Sequence, residues 1–185
     1  MALTKVDPVH GIDLADKEYF HVDLTTDQSA TDNTATVVDF GGKGTVVYDT
    51  KSNFDSANDA YLLGSNGGVY LINFNIGIAN ETITDERMVY TRGGIEIATD
   101  GSTYVALKGS GKQLRDSASD NGGSVVLSGT FIYKATNATT KIRINTHTDS
   151  VGIGSIICAT VSQLTQSTTA LTDARPTWLS VVRIA

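Results

Sequence analysis

The residues able to do chemistry are few and widely spaced. Histidine occurs at His10, His21 and His147, and the one cysteine is Cys158. Nucleophilic catalysis needs a nucleophile, a base beside it and a group that orients the base. No histidine here shares a recognisable spacing with a serine or the cysteine, and Gly-x-Ser-x-Gly is absent. Paired carboxylates occur as Asp85-Glu86 and as Asp116 with Asp120, both in polar surroundings that suit solvated turns. The run Asp116-Ser117-Ala118-Ser119-Asp120-Asn121-Gly122 partly matches a calcium loop, but its third position is Ala118 and no closing Glu follows. Zinc would need four N or S ligands in a pattern that these residues do not supply. The reading is therefore non-enzymatic, with no catalytic residue, no metal and no cofactor. Cys158 lies in the apolar run GSIICATV and reads as a small buried hydrophobe. Gly41-Gly42-Lys43-Gly44 lacks phosphate-loop spacing and reads as a hairpin turn between residues 36–40 and 45–48. Asn80-Glu81-Thr82 and Asn137-Ala138-Thr139 match the glycosylation pattern by chance.

The elements that would carry these groups are strands. Residues 67–78, GGVYLINFNIGI, alternate throughout, with Tyr70, Ile72, Phe74, Ile76 and Ile78 on one face and Asn73, Asn75 and Gly77 on the other. Further short strands are expected at residues 19–24, 36–40, 45–48, 60–63, 87–90, 95–98, 103–107, 125–134, 141–145, 153–161 and 177–184. Gly93-Gly94 and Asp100-Gly101 supply turns between them. Residues 52–59, 109–123 and 147–152 read as exposed loops, with Phe54 as an anchor in the first. No amphipathic helix and no fixed-period repeat stands out, so the chain is all-β, a sandwich or barrel of about ten antiparallel strands.

Composition sets outer limits. The chain has 185 residues, 40% hydrophobic and 18% charged, with 18 glycines against 2 prolines, which suits one turn-rich β domain. A net charge of −6 argues against nucleic acid and against anionic membranes. No apolar run is long enough for a membrane span, and a basic-then-apolar secretory leader is not expected. Residues 1–18 are aperiodic, broken by Pro8 and Gly11, and hold Leu3, Val6, Val9, Ile12 and Leu14. They read as an extended docking arm ahead of a sandwich domain at 19–185.

The order of landmarks resembles the C1q/tumour-necrosis-factor jelly roll. Tyr48-Asp49, Phe54, Gly68-Val69-Tyr70-Leu71-Ile72 and Trp178-Leu179-Ser180-Val181-Val182 fall in that family's sequence of motifs, over residues 36–185. The chain departs from it in a longer segment between Phe54 and Gly68, in Ile72 for the second aromatic, and in Asn137-Ala138-Thr139-Thr140 for a Gly-Asp. The resemblance implies a jelly-roll β-sandwich and a homotrimer, with Tyr70, Ile72, Trp178, Leu179 and Val181 near the threefold axis. Apolar residues on both faces of residues 69–72 and 178–182 point the same way.

The opening MALTKV is similar to the first residues of many phage tail-fibre and tailspike proteins. Together these readings suggest a virion surface protein, either a capsid decoration (head-fibre) or short tail-fibre component, docked through its arm to other virion proteins. The alternative is a module that recognises a host surface glycan with loops at the sandwich end, using Tyr61 or Tyr104 as stacking platforms.

Overall fold

The computed structural model describes residues 18–30, 34–80, 88–112, 124–150, 156–158 and 177–185. The expected docking arm, with Leu3, Val6, Val9, Ile12 and Leu14, lies outside them, as do His10, Asp85-Glu86 and the Asp116–Asp120 region. The strands are β1 (Tyr19–Leu24), β2 (Gln28–Ala30), β3 (Ala35–Val37), β4 (Gly44–Asp49), β5 (Phe54–Asp55), β6 (Ala60–Leu62) and β7 (Val69–Asn80). They continue as β8 (Met88–Ala98), β9 (Val105–Lys112), β10 (Ser124–Lys134), β11 (Lys141–Ser150), β12 (Ile156–Cys158) and β13 (Trp178–Arg183). A single helical turn, α1 (Phe40–Lys43), interrupts them.

Two antiparallel sheets result. Sheet A runs β10–β7–β13–β1–β4, with β12 and then β2 extending the β13 side of β7. Sheet B runs β5–β6–β11–β8–β9, with β3 beside the far end of β11. The alternation of β7 sends Tyr70, Ile72, Phe74, Ile76 and Ile78 inward, where Phe20, Val22, Leu179 and Val181 join them from the same sheet. Ile95, Ile97, Ile142 and Ile144 meet them from sheet B. Each such side chain, taken fully out of water, stabilises the fold by about 1.5–3 kcal/mol.

Several local expectations change. Gly93-Gly94 is not a turn, because β8 runs straight through it. A Cβ on Gly93 would stand 2.7 Å from Ile76 Cδ1, and one on Gly94 2.1 Å from the Lys108 carbonyl oxygen. These glycines mark close approach of backbone to neighbours, not a reversal of the chain. Nor does Gly41–Gly44 close a hairpin. Asp39 Oδ1 accepts the Gly42 N–H at 2.6 Å and caps a helical turn, while β3 goes to β11 in sheet B and β4 to β1 in sheet A. Residues 52–59 hold the short strand β5, and Phe54 stacks on Phe20 with centroids 5.4 Å apart. The strands at 105–112 and 141–150 extend into what reads as loop, so His147 sits on a strand. The Asp100-Gly101 turn is present, with Gly101 at φ +81° and Asp100 Oδ1 accepting both Ser102 and Thr103 N–H.

The boundary of the sandwich also shifts. Glu18, the last residue of the expected arm, is buried at 5% exposure. Its carboxylate accepts hydrogen bonds from Tyr61 Oη at 3.2 Å, Tyr70 Oη at 3.1 Å and Asn53 Nδ2 at 3.3 Å. The folded unit therefore begins no later than Glu18.

Candidate functional site

Residues directly opposite in an antiparallel pair share a face of the sheet, so register fixes what the outer face of sheet A displays. One row runs Ile132–Leu71–Val182–Tyr19 across β10, β7, β13 and β1. The next row is Thr130–Asn73–Ser180–His21–Tyr48, ending on β4. Beyond it lies Ser128–Asn75–Trp178–Asp23–Thr45. An apolar row thus borders a polar band on one nearly continuous surface.

Ile132 is 65% exposed and Tyr48 55%. Leu71, Val182, Tyr19 and Trp178 are half-buried by their neighbours. The Tyr19 and Tyr48 rings lie 5.4 Å apart and tilted, which carries the apolar surface to the β4 edge. There Val46 and Val47 are exposed as well, at a register shift in the β1–β4 pairing. Large aliphatic and aromatic groups exposed together on a sheet face and its edge mark an association surface more often than scattered single exposures do.

Of the five residues expected at a subunit contact, the structure puts only Trp178 on this surface. Tyr70, Ile72, Leu179 and Val181 are fully buried between the sheets and cannot meet a neighbouring subunit. The reason is parity, since all four share the inward phase of β7 and β13. The outward positions in the neighbouring phase are Leu71, Ile132, Val182 and Tyr19. The signal that identifies them is the uniform bulk of Tyr70, Ile72, Phe74, Ile76 and Ile78, which only a core can take up; the mixed phase must face outward.

The titratable groups on this face are tied together. His21 Nε2 lies 3.0 Å from Asp23 Oδ1, and its ring sits 5.8 Å from Trp178. Ser180 is its cross-strand neighbour on the same face. Elsewhere, Lys141 Nζ pairs with Asp55 Oδ2 at 2.9 Å, which holds the Asp55 carboxyl below its usual range and raises the lysine. No group of three or more His, Cys, Asp or Glu side chains is placed to hold a metal among the described residues.

The expected glycan platforms are both occupied. Tyr61 is fully buried, stacked on Phe20 at 4.3 Å, with its hydroxyl on Glu18. The face of Tyr104 is covered by the Arg143 guanidinium, 3.8 Å from the ring centroid. Tyr61 therefore offers no ring face to a sugar, and one face of Tyr104 is taken by Arg143.

No family model matches the sequence, and none of the curated proteins matches it. Solved structures do. The chain is similar to murine APRIL at pH 5.0, with a TM-score of 0.56 and 11% identity over 91% of this chain and 100% of that one. It is similar also to Eiger TNF from S. frugiperda, with a TM-score of 0.54 and 10% identity over 91% and 93% of the two chains. At such identity the likeness concerns the fold, and it supports the TNF-type jelly roll that the order of motifs in the sequence implies.

Proposed function

We propose that this chain is a non-enzymatic structural module that assembles as a homotrimer through the outer face of sheet A. The observation that carries the proposal is the Ile132–Leu71–Val182–Tyr19 row, continued by Tyr48 to the exposed Val46 and Val47 of β4. A face on one subunit and an apolar edge on the next form a head-to-tail contact, and such contacts close into a ring when the rotation permits. The motif order shared with the C1q/tumour-necrosis-factor jelly roll supports three as the number. In sedimentation velocity at micromolar concentration the full chain is expected to run as a trimer. The double variant Leu71→Lys/Ile132→Lys should run as a folded monomer, because paired ammonium groups on the contact cannot be desolvated cheaply. A wild-type monomer would end the proposal.

The setting we propose is a virion surface, as a phage capsid decoration (head-fibre) or short tail-fibre protein. The opening MALTKV and the aperiodic apolar residues of the arm, from Leu3 to Leu14, support it. On this reading the arm docks to a neighbouring virion protein and the jelly roll projects outward. A chain beginning at Asp16, which keeps Glu18, is then expected to fold and oligomerise normally yet fail to attach to particles lacking the protein. Attachment equal to that of the full chain would move the docking surface onto the sandwich itself.

A further inference from the structure

On the outer face of sheet B, away from the association surface, lies a groove of about 510 Å³. Register explains why it is hollow. Gly94 stands opposite Asn145 on one side and Gly109 on the other, Glu96 opposite Ala106, and His147 opposite Ala35. Side chains are thus missing or minimal along its floor, and Gly94 cannot acquire one without displacing the β9 backbone. Such a floor lets a ligand lie directly against the sheet.

The charges around the groove are unbalanced. The Glu96 carboxylate is engaged, its Oε2 accepting from Arg143 Nε at 2.8 Å and its Oε1 from Asn145 Nδ2 at 3.0 Å. Arg92 and Lys108 also line the groove, both exposed, and neither is paired with a carboxylate among the described residues. Two cations without a carboxylate partner among the described residues therefore stand over one hollow in a chain whose net charge is −6. His147 lines the same groove, and its Nδ1 is buried with no hydrogen-bond partner among the described residues.

We infer that this groove binds an acidic sugar of the uronate type. A carboxylate matches the planar fork of Arg92, which can hold both oxygens at once, with Lys108 as a second positive charge. Ring hydroxyls find the free lone pairs of Glu96 as acceptors and the Asn145 carboxamide and His147 imidazole as further polar partners. The volume falls within the range of small-molecule sites and suits one or two sugar rings. Binding here does not depend on trimer formation, since the groove opens on the opposite sheet. It also places sugar recognition on strand faces instead of on the sandwich-end loops and the two tyrosines.

The test is a backbone amide NMR titration of the full chain with trigalacturonate. Maltotriose serves as the neutral control of equal length and inorganic phosphate as the simple anion. Trigalacturonate should shift the amides of residues 92–96 and 106–109 and bind at least tenfold more tightly than either control. Arg92→Gln and Lys108→Gln should each weaken it at least tenfold with the thermal midpoint unchanged, and Arg92→Lys should restore only part of the loss. The inference falls if those amides do not move, if maltotriose or phosphate binds equally well, or if the glutamine variants bind like wild type.

Discussion

Glu18→Ala is expected to lower the free energy of unfolding by about 3–5 kcal/mol, enough to threaten a domain of ordinary stability. The carboxylate is the shared acceptor for the Tyr61 and Tyr70 hydroxyls and the Asn53 amide. Alanine would leave these donors without it in a space closed to water, and would leave a cavity besides. Glu18→Gln keeps one acceptor oxygen and should cost less, about 1–2 kcal/mol. Urea denaturation is the measurement, with the midpoint falling and the slope unchanged. A loss below 1 kcal/mol for the alanine variant would mean that water reaches the cluster.

The same cluster makes the alkaline limb of stability steep. Burial first, then the charge of Glu18, pushes the Tyr70 phenol up to about 12, and Tyr61 is raised for the same two reasons in the same order. An unfolded chain releases these protons near pH 10, while the folded chain keeps them. Their contribution is therefore fully present below pH 10 and is lost as pH rises from there through the folded values. Each phenol supplies about 1.4 kcal/mol of destabilisation per pH unit across that window. Spectrophotometric titration should find Tyr61 and Tyr70 ionising only as circular dichroism reports loss of the fold. In Tyr61→Phe the alkaline transition should become shallower. If all seven tyrosines titrate smoothly while the fold persists, the cluster is not closed.

How much of this was legible depends on whether the deciding interaction is local. The strand β7 is legible because five bulky residues at every second position leave no other way to be buried. The Asp100-Gly101 turn is legible because its hydrogen bonds fall within three residues. Gly93-Gly94 is not, since the same two letters serve a turn or a close crossing, and what decides is Ile76 and Lys108 on other strands. Gly41–Gly44 fails for a related reason, the flanking strands having partners in different sheets. The proposed association surface was half legible. Two-sided apolarity in residues 69–72 and 178–182 is plain, but which phase faces out is settled only by the second sheet. Glu18 shows the limit most clearly, because a charged residue at the end of an aperiodic segment gives no local sign that three donors from β6, β7 and the segment before β5 will converge on it. The groove on sheet B is likewise a product of register across β3, β11, β8 and β9.

The place of β13 has a consequence for how the sandwich comes to exist. This strand lies between β7 and β1, pairing with both, and is the last of the strands in chain order. Until it is made, the direct hydrogen-bonded path from β7 to β1 stays open, and the facing edges of both strands lack their partner. A ribosome adding about 5–20 residues per second exposes those open edges throughout the synthesis of everything between. Such a chain folds late and slowly, since most of its pairings span long stretches of sequence. During that interval its unfinished edges are the places where nascent copies would stick to one another, and where a chaperone would be needed most.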